Sequence, residues 1–295
     1  MSRLIILDFD GTMTNAEAEG VPFRTGYLED LAVLCGISSE QVQALAARYE
    51  AEVAQAPQEY GWMFEGRIVA PAVVDPYLRI MPVARKIFDH LGVFSAERDR
   101  SRLLDGILYK YNYQKTVIAF REGAREFLTW LGAQAQLEGY VVTNSHTEPV
   151  SRKIQQLGQE PDGSNTLAWM QARVYGRARK YMIDDAFTAV PEHMNVPGLS
   201  RPVLLRRRFY AETLEQLRTH HGVAWADVTV VGDIFELDLA LPLSLGAQVI
   251  LVGNTHTPAY ERAFVQRHPR ARLAEHLADV QALLTQPERS PEEVS

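Results

Sequence analysis

Asp8 and Asp10 stand two residues apart in Leu4-Ile5-Ile6-Leu7-Asp8-Phe9-Asp10-Gly11-Thr12, directly after four consecutive apolar residues. Alternate residues of an extended chain share a side, so the two carboxylates face one way and Phe9 the other. Gly11 then lets the backbone turn away. Two like charges this close repel unless a cation or a proton is shared between them. The pair is therefore either a metal and acid–base site or a solvated Asp–Gly turn, since both residue types favour turns.

Which reading holds depends on the elements around it. Leu4 to Leu7 is a short, unbroken apolar run, the pattern of a strand buried on both faces, and it recurs at Tyr140 to Val142, Val228 to Val231 and Val249 to Val252. Between these runs Ala124, Phe127, Leu128 and Leu131 keep helical spacing, as do Val150, Ile154 and Leu157 before Gly158, read as a stop, and Leu214, Leu217 and His221 before Gly222. Buried strands alternating with amphipathic helices define an α/β domain with a mainly parallel sheet. In such a sheet residues just beyond the strand C-termini line the ligand crevice, which is where Asp8 and Asp10 fall.

Residues 14–117 read differently. Ser38 and Gln41 suit a capping box, Val42, Leu45, Ala46, Tyr49 and Val53 keep helical spacing, and further helices are expected over 76–91 and 96–113. No buried strand is expected there. The expected organisation is an α/β core of residues 1–13 and 118–285, a helical insertion of residues 14–117, and a polar, Pro-bearing tail, 286–295, expected to be disordered.

Composition narrows the function classes. Across 295 residues, 30 Lys and Arg face 37 Asp and Glu, and the net charge of −7 argues against a broad nucleic-acid or anionic-membrane surface. A single cysteine, Cys35, excludes an internal disulfide framework and a Cys-rich zinc site; it is expected to be buried. No apolar stretch approaches the ~18 residues of a membrane span, and a cytoplasmic chain with neither nucleic-acid nor membrane partner is expected.

The motifs in their order resemble the haloacid dehalogenase-like (HAD) phosphohydrolases. Asp8-Phe9-Asp10-Gly11-Thr12 looks like the first motif of that superfamily, Tyr140-Val141-Val142-Thr143-Asn144 the second, and Gly232-Asp233 with Asp238 the fourth. The resemblance implies a Rossmann-like core with the 14–117 insertion as a type-1 helical cap closing over the crevice. It also implies Mg²⁺ as cofactor, with Asp8 and Asp233 as carboxylate ligands, Asp10 contributing its backbone carbonyl, and Asp238 positioning the ligands or binding the ion through water.

Each element also makes chemical sense alone. Asp8 is the candidate nucleophile, because a carboxylate attacking phosphorus splits one hard displacement into two easier ones. At ~4 Å and an effective dielectric of ~20, each like-charge pair between carboxylate and phosphate costs on the order of 4 kcal/mol, so a divalent cation is close to obligatory. Mg²⁺ suits hard oxygen ligands and a substrate phosphate. Asp10 is the candidate general acid and base. Its presence favours a phosphatase, since dehalogenases and P-type ATPases of the superfamily lack an acid there. Thr143 and Asn144 offer donors to a phosphoryl oxygen.

The superfamily's third motif supplies a cation that neutralises Asp8. Counting forward from the second motif reaches Lys180; counting back from Asp233 reaches Arg206-Arg207-Arg208. Residue type favours Lys180, with Arg207 or Arg208 as the alternative phosphate-binding group, and the intervening segment, with a possible strand at 203–205, departs from the common pattern. His220-His221 reads as a helix C-terminal cap, Asp184-Asp185 as surface, and Arg24, Arg67 and Arg79 as exposed. The expected activity is hydrolysis of a small phosphorylated metabolite through an aspartyl-phosphate. The alternatives are a phosphomutase and a catalytically idle binding or regulatory relative.

Overall fold

The computed structural model describes residues 2–286, so the expected disordered tail lies, from residue 287 onward, outside the described residues. Strand β1 (Arg3–Leu7) opens the chain, and its pleat sends Leu4 and Ile6 into one apolar cluster and Ile5 and Leu7 into another. Burial on both faces is what a parallel sheet requires. The chain forms two compact units, one built from the residues up to Thr14 and from Phe120 onward, the other from Asn15–Ala119.

The second unit contains α1 (Ala16–Cys35), α2 (Ser39–Gln55), β2 (Gly61–Phe64), β3 (Arg67–Pro71), α3 (Pro76–Leu91), α4 (Glu97–Ser101) and α5 (Lys110–Tyr113). Phe23, Tyr27, Leu31, Val42, Val83, Ile87 and Phe88 form its core. The expected capping box is present, with Gln41 N donating to Ser38 Oγ at 3.2 Å and Ser38 N to Gln41 Oε1 at 2.9 Å.

Several expectations for this unit need correction. It does contain strands: β2 and β3 pair antiparallel across Glu65-Gly66, both of which hold positive φ, 47° and 76°. That is the geometry a two-residue hairpin turn demands. The helix expected over 96–113 is interrupted by a π-helical stretch, Arg102–Tyr109. Cys35 is half-buried rather than buried. Arg79 is buried, not exposed; it sits on the inner face of α3 and donates to Glu17 Oε2 at 2.6 Å and to Val73 O at 2.9 Å. Arg24 is half-buried and paired with Glu50 at 2.7 Å.

Thr14 and Phe120 form an antiparallel bridge where the chain leaves and re-enters the first unit. There follow α6 (Ala124–Gly132), β4 (Leu137–Val142), α7 (Thr147–Gly158), β5 (Val174–Tyr175), β6 (His193–Met194), β7 (Val203–Leu204) and α8 (Arg208–His221). After them come β8 (Val228–Gly232), α9 (Ala240–Leu245), β9 (Gln248–Val252), α10 (Ala259–Arg267), β10 (Ala271–Ala274) and α11 (Leu277–Thr285). Gly158 proves to be the last residue of α7 rather than the residue that stops it. The expected 203–205 strand is present as β7, but it pairs only with β6 in a separate two-stranded ribbon.

The main sheet is parallel throughout, in the order β10-β9-β8-β1-β4-β5. Strand β1 lies between β4 and β8, and Leu7 is in register with both Val141 and Val231. The three strands therefore end level. The residues that follow, Asp8, Thr143 and Asp233, emerge together at the carboxyl edge, where an open α/β sheet has its crevice.

Candidate active site

Three carboxylates converge at that edge. One ligand oxygen from each of Asp8, Asp233 and Asp238 lies within 4.8 Å of the others, and all three residues are buried. Lys180 Nζ sits among them, 2.7 Å from Asp8 Oδ1 and 2.9 Å from Asp238 Oδ1, with its side chain only 1% exposed. Thr12 bridges two of the acids, its hydroxyl 2.9 Å from Asp233 Oδ1 and 3.3 Å from Asp8 Oδ2.

The backbone makes this crowding possible. A Cβ on Gly11, whose φ is +85°, would lie 2.2 Å from Asp233 Oδ2. Arg121 steadies the same turn by donating from Nε to Gly11 O at 2.7 Å. On the β8 side, Asp238 Oδ2 accepts the Ile234 N–H at 3.0 Å, so both oxygens of Asp238 already have donors. A π-helical turn, Phe235–Leu239, precedes α9. Pro242 has no N–H to give to Asp238 O four residues back. Tyr210 Oη supplies that bond instead, at 2.9 Å.

Asp10 points elsewhere. Its Oδ2 accepts from Ser145 Oγ at 2.6 Å and from Thr143 Oγ1 at 3.4 Å, and its Oδ1 is 3.2 Å from Lys153 Nζ. Thr143 is 1% exposed and its Oγ1 also accepts the Ser145 N–H at 3.1 Å. Asn144 turns its Oδ1 to the Lys180 N–H at 2.7 Å, which ties the loop after β4 to the loop after β5.

The structure separates the third-motif candidates. Lys180 is bonded to Asp8 and Asp238. Arg206 donates to Asp185 O at 3.0 Å, and Arg208 lies on the surface against Glu212 at 2.7 Å and Asp184 at 3.5 Å. Arg207 is wholly buried, and its guanidinium donates from Nε to Leu204 O at 3.0 Å and from Nη1 to Lys180 O. The Lys180 loop is strained: Arg177 and Arg179 hold φ of 56° and 50°, a left-handed conformation costly for residues with a Cβ. Main-chain bonds hold it there, from Arg177 N to Ser145 O at 2.7 Å and from Ala178 N to Thr143 O at 2.9 Å.

Sequence reasoning gave no role to Thr12, Ser145, Lys153 or Arg121. For Lys153 a signal existed. With Val150, Ile154 and Leu157 it occupies i, i+3, i+4, i+7 of α7, so a lysine stands on the face that packs inward. His220-His221 does end a helix, at Gly222 in the left-handed conformation, and His221 Nε2 lies 2.9 Å from Tyr140 Oη.

The site is short of positive charge. Burial, together with the neighbouring Asp238 charge and against the pull of Lys180, pushes the Asp8 carboxyl up to about 7. Burial and the charges of Asp8 and Asp238 raise Asp233 well above the usual carboxylate range. Burial works against the Lys180 ammonium, yet Asp238 and Asp8 outweigh it and raise its value. Three carboxylates, one ammonium and an all-oxygen donor set fit a hard dication such as Mg²⁺.

A sheet of this order, with an acid-lined carboxyl edge and an insertion leaving it after β1, defines a class of hydrolases. The chain belongs to the haloacid dehalogenase-like hydrolases, whose family model matches residues 2–242. Among solved structures it is similar to a predicted phosphoglycolate phosphatase from Haemophilus somnus 129pt, with TM-score 0.52 and 14% identity over 96% of this chain and 98% of that one. It is also similar to a protein of Bacillus subtilis described as a HAD-hydrolase and bound to magnesium, with TM-score 0.51 and 13% identity over 97% and 99% of the two chains. A haloacid dehalogenase-like protein from Agrobacterium tumefaciens gives TM-score 0.50 and 13% identity over 96% and 98%. No curated protein matches the chain. Among the described residues no helix is long and apolar enough to cross a membrane.

Proposed function

We propose that the chain is a Mg²⁺-dependent phosphatase that hydrolyses a small phosphate monoester through an aspartyl-phosphate on Asp8. The observation that carries this reading is the buried Asp8–Asp233–Asp238 cluster at the carboxyl edge of β1 and β8, with the Lys180 ammonium bonded to Asp8 and Asp238. Nothing about a structural core needs three acids there, because uncompensated buried carboxylates are destabilising. The names of the similar solved structures, a predicted phosphoglycolate phosphatase and a magnesium-bound HAD-hydrolase, agree with it.

Asp8 and Asp233 would hold the Mg²⁺, and Asp238, whose oxygens serve Lys180 and the Ile234 N–H, would orient its neighbours. The ion, when bound, supplies Lewis-acid charge neutralisation that lets a carboxylate approach a phosphate dianion. The protein's own groups do the rest. An Asp8 carboxylate oxygen attacks phosphorus, forming the Asp8–O–P bond as the P–O bond to the leaving group breaks. Asp10 gives its proton to the leaving oxygen. Asp10 then takes a proton from water, whose oxygen attacks phosphorus; the Asp8–O–P bond breaks and inorganic phosphate leaves. Lys180 holds Asp8 in place and balances charge on the transferring group. Thr143 and Ser145 set the aim of Asp10, and Lys153 joins them.

The acid at Asp10 supports a phosphatase over a dehalogenase. The test is a panel of small phosphate monoesters assayed with and without Mg²⁺, with Asp8→Asn as the comparison. Phosphate release that needs Mg²⁺ and vanishes in Asp8→Asn is the expected result. Undiminished turnover in that variant would falsify the nucleophile, and an isomeric phosphate in place of inorganic phosphate would make the protein a mutase.

A further inference from the structure

Lys180 reaches the site from an irregular stretch. Residues 181–207, between it and α8, contain only the short β6–β7 ribbon, and the residues just before Lys180 are in left-handed conformations. No helix or strand of its own fixes the Lys180 backbone, yet its ammonium is held at hydrogen-bond distance from two acids.

Both peptide groups that flank its Cα are clamped by side chains from elsewhere. The Lys180 N–H donates to Asn144 Oδ1 at 2.7 Å. The Lys180 carbonyl accepts from Arg207 Nη1, while Arg207 Nε donates to Leu204 O at 3.0 Å. Arg207 stands immediately before α8, so its guanidinium closes residues 181–207 into a loop whose two ends are joined. It is 0% exposed. Glu236 and Asp238 lend it negative charge, and Arg201 also bonds Glu236, twice at 2.7 Å.

A planar guanidinium can serve two carbonyls in a fixed geometry where an ammonium acts as a point charge. Resting on the phosphatase reading above, we infer that Arg207 is a positioning residue: it clamps the Lys180 carbonyl and so sets where the Lys180 ammonium meets Asp8. Groups behind a reacting shell characteristically fix its orientation.

A double-substitution cycle with p-nitrophenyl phosphate and Mg²⁺ tests this. Arg207→Met lowers kcat by about tenfold to a hundredfold, the range of outer-shell effects. In a Lys180→Ala background the same substitution changes kcat by less than about twofold, because the residue it acts through is gone. Equal losses in both backgrounds, or no loss where Lys180 is retained, overturn the inference. Melting temperatures of all variants show whether each folds. Should Arg207→Met not fold, Arg207→Lys carries the same cycle, with a loss of about threefold expected only where Lys180 is present; equal or absent losses again overturn it. Wild-type protein without Mg²⁺-dependent hydrolysis of any phosphate monoester would overturn the phosphatase reading and this inference together. Active wild-type protein with unaffected Arg207 variants overturns this one alone.

Discussion

The Lys180 ammonium lies 2.7 Å from Asp8 Oδ1 across 172 residues of sequence, and both residues are buried, with 10% of the Asp8 side chain still exposed. The same ammonium serves Asp238 at 2.9 Å, so one cation restrains two of the three acids. Its removal has both a catalytic and a structural cost.

Lys180→Ala should lower kcat by on the order of a thousandfold, as loss of one preorganised donor does. Breaking a buried ion pair also destabilises by about 3–5 kcal/mol. Added Mg²⁺ should therefore raise the melting temperature of the variant more than that of the wild type. Thermal melts with and without the ion check this; equal shifts would disconnect Lys180 from the metal cluster.

Asp233→Asn separates stability from function. Asp233 is buried against two other acids, and an amide keeps an oxygen for the Thr12 hydroxyl while losing the repulsion. The Mg²⁺-free variant should melt higher than wild type, and calorimetry should find Mg²⁺ affinity reduced about tenfold or more. A lower melting point together with unchanged affinity would remove Asp233 from the ligand set.

Lys153→Met tests the aim of Asp10. Its ammonium is 3.2 Å from Asp10 Oδ1 and its side chain 21% exposed, so the pair matters for geometry more than for stability. Turnover should fall about tenfold, with Lys153→Arg recovering most of it and the melting point nearly unchanged. Wild-type kinetics in Lys153→Met would show that Ser145 and Thr143 suffice.

Asp75 gives a pH-dependent contribution to stability. It caps α3, accepting from Tyr77 N at 2.7 Å and Leu78 N at 3.0 Å, and burial pushes its carboxyl up from 3.8 to about 6. An acid raised on folding holds its proton more tightly in the folded state, so its favourable contribution is complete below 3.8 and lost as pH rises through about 6. Asp75→Asn, which keeps the cap acceptor, should be more stable than wild type at pH 7.5 and lose that advantage at pH 4. Urea denaturation at the two pH values decides it; an advantage that grows on acidification would reverse the assignment.

The central strands were legible because each carries a short apolar run, and their level ends follow from parallel pairing once Asp8, Thr143 and Asp233 are seen to terminate them. Lys180 was legible by residue type. The partners of Asp10 were not: Ser145 and Lys153 are polar residues of common kinds, and only the place of Lys153 on the inward stripe of α7 distinguishes it. The β2–β3 ribbon was hidden because its turn is Glu65-Gly66, a pair without the usual Asn or Asp, and Glu must adopt a left-handed φ there. Arg79 and Arg207 were read as surface or phosphate-facing groups, since composition cannot reveal that a guanidinium will be sealed in by Glu17 or by main-chain carbonyls.

The bridge between Thr14 and Phe120 fixes both ends of the excursion to a single rung. Residues 15–119 can therefore change in length with both of their ends still held side by side at that rung.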